Sequence, residues 1–562
     1  MKENKKHGNW YKVLVVIILV IILSILCYKS NKFKNLLDKI GINIYNKDIS
    51  KEIIELCKND ENTFENKITI DVSKKENNIS PYIYGINVID ASLKDVKVNA
   101  IRQGGNRTST YNWENNASNA GSDGENSSDS YLSNSTVPGQ ILLDLSQKAT
   151  ANNIKYKFTT LQMMGYVAAD KNGKVSKKQK APSGRWKKVE IRKNGELSLN
   201  PDTNDDVVYM DEYVNYIISK LGDSTTSTGI QGYSLDNEPA LWNNTHSLAH
   251  SSSVKMNELI SKSIELAKVV KDADSNADIL GPALYGIPAY DSLDNEESKN
   301  EGDDENWSKI KSENGYNWFI DYYLDEMKKA SDEYGSRLLD YIDIHYYSEA
   351  CDVPSKLLQA SRTLYDSSFK ENSWISSKYQ DILPLLPKLQ ESIDKYFPGT
   401  KIAISEYNFR KSGNTIYEGI AEVQYLIAFA KNNVGIATYW GGYSPYIYSA
   451  INMFTDCEEF GEIGENIINS ETEDNSKVCT LVTQNDKADK MDIILTNNDM
   501  KETAKINISI ENSQKKYKKA HIYGITKNDN EVVEFGTISN FRNNEFEISI
   551  PSLSTCRIIL SE

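Results

Sequence analysis

At 562 residues the chain has room for one large domain and a smaller companion. Hydrophobic residues at 39% and charged residues at 25% give a globular balance and exclude an intrinsically disordered chain. A net charge of −15 argues against a nucleic-acid partner, because phosphate binding needs basic surface.

The first element is an apolar run, Val13 to Cys27, broken only by Ser24 and led by Lys2, Lys5, Lys6 and Lys12. Trp10, Tyr11 and Tyr28 flank it as aromatic belts do at membrane interfaces, and no small-residue cleavage pattern lies near Tyr28. Residues 1–30 therefore read as a single uncleaved transmembrane anchor holding the chain on the extracellular face of the membrane. A cleaved signal peptide and secretion is the alternative. The polar, Lys- and Asn-rich residues 31–65 read as a stalk. The six cysteines (Cys27, Cys57, Cys351, Cys457, Cys479 and Cys556) are widely spaced with no CxxC, so neither a zinc site nor a dense disulfide framework is expected.

Folded structure is expected from the alternating segment Lys67 to Val72, placed in a first strand over residues 66–76. From residue 77 to 455, short apolar runs alternate with amphipathic ones. Strands are expected at Tyr82 to Asn87, Ala100 to Gln103, Lys155 to Leu161, Gly232 to Leu235, Ile279 to Pro282, Tyr341 to Tyr346, Lys401 to Ser405 and Ile436 to Trp440. Helices are expected at Asp206 to Leu221, Lys255 to Asp272, Trp318 to Tyr334 and Ala421 to Lys431. This α/β pattern predicts a (β/α)8 TIM barrel. An open doubly wound sheet is the competing fold, but no GxGxxG turn follows the first strand. Residues 456–562 change to alternating strands near Cys479, Met491, Ala504, His521 and Glu547, divided by Asn-, Asp- and Gly-rich turns. They read as an attached antiparallel β-sandwich, which the early strand joins, with the acidic stretch 456–476 as a connecting loop.

Two motifs carry chemistry. Tyr233-Ser-Leu-Asp-Asn-Glu-Pro ends the fourth strand at Glu238, and Lys401-Ile-Ala-Ile-Ser-Glu-Tyr-Asn ends the seventh at Glu406. Both carboxylates would face the C-terminal end of the barrel, where barrel active sites lie. Cleavage of a glycosidic bond needs such a pair, one as acid/base and one as nucleophile. The aromatic residues beside these motifs and at neighbouring strand ends, Trp242, Tyr285, Tyr346, Tyr407 and Trp440, are the candidate sugar contacts. His345, at the end of the sixth strand, is a candidate contact to the nucleophile or a sugar hydroxyl. His246 and His250 read equally as structural. No HExxH or GxSxG is present, which disfavours zinc hydrolysis and acyl transfer.

A strand-four Glu preceded by Asn237, with a second Glu on strand seven, resembles the large clan of retaining β-glycosidases. In that clan Asn237 would bond the sugar 2-hydroxyl. The stretches Ile101-Arg-Gln-Gly-Gly-Asn-Arg-Thr, Tyr111 to Asp123, Gly165 to Gly173, Asp236 to Trp242, Asp343 to Ala350 and Ile404 to Asn408 are similar, in order, to glycoside hydrolase family 44. That family comprises endo-β-1,4-glucanases and xyloglucanases. The resemblance implies a retaining endo-β-1,4-glycanase acting on a cellulose- or xyloglucan-like polysaccharide, with Glu238 as acid/base and Glu406 as nucleophile. It departs from the family where Gly124 and Tyr285 replace tryptophans and where His345-Tyr-Tyr-Ser replaces His-Trp-Tyr-Pro. No cofactor is required. A structural calcium at Glu114 and Asp123 is one reading of the Asn-rich stretch, a hydrogen-bonded loop the other. A monomer is expected. The alternatives are a membrane-tethered carbohydrate-binding protein with little or no turnover, and a same-fold glycanase acting on mannan or xylan.

Overall fold

A computed structural model describes residues 47–87, 93–293, 307–349, 351–409, 414–539 and 541–561. Eight parallel strands close a barrel in chain order. They are Gly85–Asn87, Ala100–Gln103, Tyr156–Leu161, Gly232–Leu235, Asp278–Leu284, Tyr341–Ser348, Lys401–Phe409 and Val434–Tyr439, barrel strands one to eight. Each coincides with an expected strand. The expected helices are present as Met210–Leu221, Met256–Ala273, Phe319–Tyr334 and Ile416–Lys431.

The strand sequences explain both the plug of the barrel and its mouth. Side chains alternate between faces along a strand. Ala100, Tyr156, Phe158, Leu280, Tyr341, Ala403 and Ile436 form one buried apolar cluster near the strand starts. Further along the same faces come Arg102, Thr160, Asp343, His345, Tyr347, Thr438 and Trp440. The barrel is therefore filled with hydrocarbon below and lined with polar groups above.

The second unit is a nine-stranded sheet. The early strand, Thr63–Asn78, sits inside it, antiparallel to Asn466–Thr472 and parallel to Thr503–Glu511. The sheet is therefore mixed, not wholly antiparallel. Strand Asn466–Thr472 also corrects the expected loop over 456–476; its buried Asn466, Ile467 and Ile468 outweigh the acidic residues around it. Inward residues of all nine strands, among them Ile70, Ile468, Ile493, Ile508, Ile522, Phe535, Ile548 and Ile558, share one apolar cluster, so the sheet folds over on itself. Part of the expected stalk is also folded. Lys47–Lys58 is a helix that buries Ile54 and Cys57 against this core, packing on both edge strands, Val533–Ile538 and Glu545–Ile550.

Helix Ile416–Lys431 and helix Pro445–Thr455 join the units through Ile416, Ile420, Tyr446, Ile525 and Leu553. Arg557 of the last strand bonds Asp492 at 2.9 Å and the carbonyls of Met453 and Gly461 at 3.0 and 2.6 Å. The expected anchor, Val13 to Cys27, lies outside the described residues. Among those described, no helix is long and apolar enough to cross a membrane.

Candidate active site

Strand four ends in a backbone turn that few residues adopt. Asp236 has φ 64° and Glu238 φ 44°, both in the left-handed region that costs a non-glycine residue conformational energy. The turn is held by hydrogen bonds. The Asp236 carboxylate accepts from Ser109 Oγ and from the amides of Met163, Met164 and Asn237, the last two at 2.9 and 2.8 Å. The Glu238 amide donates to the Ala283 carbonyl at 3.0 Å. Glu238 is thereby fixed on the polar mouth, next to strand five.

Strands six and seven supply the rest. His345 and Glu406 are register partners, and beyond them Tyr347 pairs with Asn408. His345 Nδ1 lies 2.9 Å from Glu238 Oε1 and 3.5 Å from Glu406 Oε2. One oxygen of each glutamate and a His345 ring nitrogen all lie within 4.8 Å of one another. Tyr347 donates its hydroxyl to Glu406 Oε2 at 2.7 Å. Arg102, wholly buried on strand two, donates Nη1 to Glu406 Oε1 at 2.6 Å and Nη2 to Asn237 Oδ1 at 2.8 Å. Its path depends on the Gly-Gly pair that follows. A Cβ on Gly104 would stand 2.3 Å from the Arg102 guanidinium carbon, and one on Gly105 would stand 2.3 Å from the Trp440 indole.

These contacts divide the charge. Burial alone would raise the Glu406 pKa, but the positive His345 and Arg102 and the hydrogen bonds from Arg102 and Tyr347 overcome it and hold Glu406 below its ordinary value. Burial opposes a charge on His345, yet Glu406 and Glu238 outweigh it and raise its pKa. The result is one carboxylate held ionised and, close beside it, a second carboxyl group tied to an imidazole. Such a pair suits attack by one carboxylate and proton transfer by the other.

A cavity of about 380 Å³ opens beside Glu238, lined by Tyr285, Tyr290, Tyr346, Tyr347, Glu349 and Trp374 among others. Glu406 does not line it. Trp374, Tyr347 and Arg102 are not among the expected site residues, although Tyr347 and Arg102 fall within the family-like stretches. Tyr347 is legible by alternation from His345. An arginine following Ala100 and Ile101 in a four-residue buried strand likewise demands a buried carboxylate. Trp374 opens a five-residue helix, Trp374–Lys378, too short to show a period.

Three expected sugar contacts are corrected. Trp242 is 1% exposed and donates its indole N–H to the Asn237 carbonyl at 3.2 Å, so it braces the motif from behind. Tyr407 is fully buried and donates to Glu422 Oε1 at 2.7 Å. Tyr346 is 2% exposed and packs on Tyr425, leaving only a sliver in the cavity wall. Tyr346 and Tyr407 are register partners pointing away from the mouth, one residue out of phase with His345 and Glu406. Tyr285 and the half-buried Trp440 do face the mouth. His246 is buried, and its pKa falls to about 4 through that burial; His250 bonds the Ser252 carbonyl and Glu258. Both are structural.

Glu114 is buried against the Lys187 ammonium at 2.9 Å, whereas the exposed Asp123 accepts from Asn106 at 2.8 Å. Lys187 already supplies the cation at Glu114 and the two carboxylates answer to different partners, so these residues fit a shared calcium shell poorly. Among the described residues, Glu238, His345 and Glu406 are the only grouping of three or more such donors close enough to share a metal ion, and Arg102 already neutralises Glu406.

Residues 105–350 match the model of glycoside hydrolase family 44. The crystal structure of the Cel44A endoglucanase from Clostridium thermocellum superposes with a TM-score of 0.83 at 42% identity, over 88% of this chain and all of that one. The chain belongs to glycoside hydrolase family 44. A family 44 xyloglucanase from Paenibacillus polymyxa superposes with a TM-score of 0.84 at 35% identity, over 89% of this chain and all of that one. A β-mannanase/endoglucanase A of Caldicellulosiruptor saccharolyticus is 40% identical over 87% of this chain, which spans only 38% of that longer protein. Family 44 membership makes the chain a glycoside hydrolase and leaves the binding-only alternative without support.

Proposed function

We propose that the protein is a retaining endo-β-1,4-glycanase acting on a cellulose- or xyloglucan-like β-glucan by double displacement. The observation that carries this is the close approach of the two carboxylates, oxygens within 4.8 Å. Retaining enzymes hold their carboxyl groups roughly 5–5.5 Å apart, too close for a water between them. Glu406, kept ionised by Arg102 and Tyr347, attacks the anomeric carbon. Glu238 gives its proton to the leaving oxygen, and Asn237, fixed by Arg102, binds the 2-hydroxyl. Formation of the glycosyl ester removes the charge on Glu406. Glu238, now ionised, takes a proton from water for the second step.

The endoglucanase and xyloglucanase neighbours support a β-glucan substrate. β-Mannan is the second substrate class, favoured by the name of the Caldicellulosiruptor relative. A polymer of this kind is met outside the cytoplasm, and the lysine-led apolar run at Val13 to Cys27 supports export. Reducing-end release from a panel of β-glucan, xyloglucan, mannan and xylan tests the substrate. Glu406→Ala should lower turnover by roughly a thousandfold or more, and azide should restore part of it with inverted product. Glu238→Ala should harm natural polymer far more than activated aryl glycosides, which need no proton donor. Inverted product from the unmodified enzyme would sink the retaining reading.

A further inference from the structure

Three large aromatic rings stand well out in solvent among the described residues: Trp374 at 41%, Tyr443 at 55% and Tyr131 at 68% exposure. Trp374 belongs to the cavity beside Glu238, the side on which the leaving group departs. Tyr131 is on the other rim. The loop after strand two carries a small sheet, Ser118–Asn119 with Ser127–Asp129, completed by Gly173–Lys174 after strand three. Tyr131 follows it directly.

This ring is exposed but not loose. The Arg107 guanidinium carbon lies 4.5 Å from its centroid, a cation–π contact that covers one face. Asp129 grips Arg107 with two bonds, at 2.7 and 3.2 Å, and the same carboxylate accepts the Tyr131 backbone amide at 3.0 Å. Ser118 Oγ accepts a further Arg107 bond at 3.2 Å. One carboxylate thus fixes both the ring's backbone and the cation that orients the ring. The assembly is also tied to the reaction centre. Asn106, the residue before Arg107, accepts from Asn237 Nδ2 at 3.2 Å.

We infer that Tyr131 is a distal sugar platform, receiving a pyranose face of the β-glucan chain several sugars from the cut, opposite to Trp374. The inference rests on the glycanase reading of the site. A flat ring with one face braced by a cation and the other in water offers the apolar face of a pyranose a surface already ordered before binding. Contact with a remote sugar assists cleavage only on chains long enough to reach it.

The test compares wild type, Tyr131→Ala and Tyr131→Phe on a long β-glucan and on an aryl cellobioside, which fills only the near positions. Tyr131→Ala should lose about fivefold in kcat/KM on the polymer, about 1 kcal/mol at 1.4 kcal/mol per tenfold. It should keep the wild-type rate on the aryl cellobioside, and Tyr131→Phe should keep both. Equal loss on the two substrates, no loss on the polymer, or a Phe variant as poor as Ala would overturn the platform. A wild type inert on every β-glucan would instead defeat the β-glucan reading of the site. Calorimetry then still reads the platform, which requires Tyr131→Ala to weaken cellohexaose but not cellobiose; unchanged affinity for both removes it.

Discussion

Among the described residues two arginines are wholly buried, Arg102 in the barrel mouth and Arg557 in the sheet domain, and each meets a carboxylate. Arg557 finds a partner for every nitrogen: Asp492 for Nε and Nη2, and the carbonyls of Met453, Gly461 and Glu462 for the guanidinium ends. Arg102 is arranged differently. Its Nη1 and Nη2 go to Glu406, Asn87 and Asn237, while its Nε has no hydrogen-bond partner among the described residues. The first pair closes a joint between two units. The second leaves a donor unsatisfied and aims the rest at Asn87 and at Glu406 and Asn237, the two groups proposed to act on substrate. Burial of an ion pair therefore does not tell whether it serves stability or chemistry; the completeness of its bonding does.

That contrast can be broken most sharply by substitution. Arg102→Met should lower kcat by roughly a hundredfold or more, the scale of losing a preorganised donor. It should also move the acid limb of the pH–rate profile upward, because burial then raises the Glu406 pKa against only His345 and Tyr347. Arg557→Met should do the opposite. It leaves the buried Asp492 with only Lys490, at 3.6 Å, costing up to about 3–5 kcal/mol of stability, while specific activity of the folded fraction stays unchanged. Denaturant melts beside kinetics separate the two, and a melt shift without a rate change in Arg102→Met would erase the distinction.

A smaller effect sharpens the same point within one strand. Tyr347→Phe removes a hydrogen bond to Glu406 and should cut kcat by about tenfold, on the order of one hydrogen bond to a charged group. Tyr346→Phe, one residue away but facing Tyr425, should leave the rate unaltered.

The smallest effect concerns Glu422, buried behind strand seven with its pKa pushed up to about 8 by burial, the Tyr407 hydroxyl opposing. Its folded pKa exceeds its unfolded value, so the fold prefers the protonated form. Its contribution is complete below about pH 4.5 and is lost as pH rises through about 8. Glu422→Gln keeps an acceptor for Tyr407 and cannot ionise. Its melting temperature should match wild type near pH 4.5 and exceed it increasingly toward pH 8. Parallel curves for the two proteins would remove Glu422 as a titrating group.

The barrel was legible in the sequence almost strand for strand, because buried parallel strands read as compact apolar runs between helices. Glu238 and Glu406 were legible for the same reason: each stands where such a run meets polar residues. What was misread followed from facing. Tyr346 and Tyr407 sit beside His345 and Glu406 in sequence, but alternation turns them to the helix layer. Trp242 lies within the motif yet behind it. Trp374 was missed because its five-residue helix is too short to show a period, and Asn466–Thr472 because a strand covered on both sides tolerates charge at its far end. The helix Lys47–Lys58 is short and lysine-rich, and only its fit across the two sheet edges reveals what it packs on.

The placement of Thr63–Asn78 bears on how the chain is made. This strand leaves the ribosome ahead of every barrel strand, yet Ile68 lies beside Ile508 on one side and opposite Thr472 on the other. Until those partners are synthesised, both of its edges stay unpaired while the barrel closes behind it. The nascent chain must therefore carry an open, isoleucine-bearing strand until Asn466–Thr472 and Thr503–Glu511 have been made. The sheet domain can be completed only after every strand of the barrel has been made.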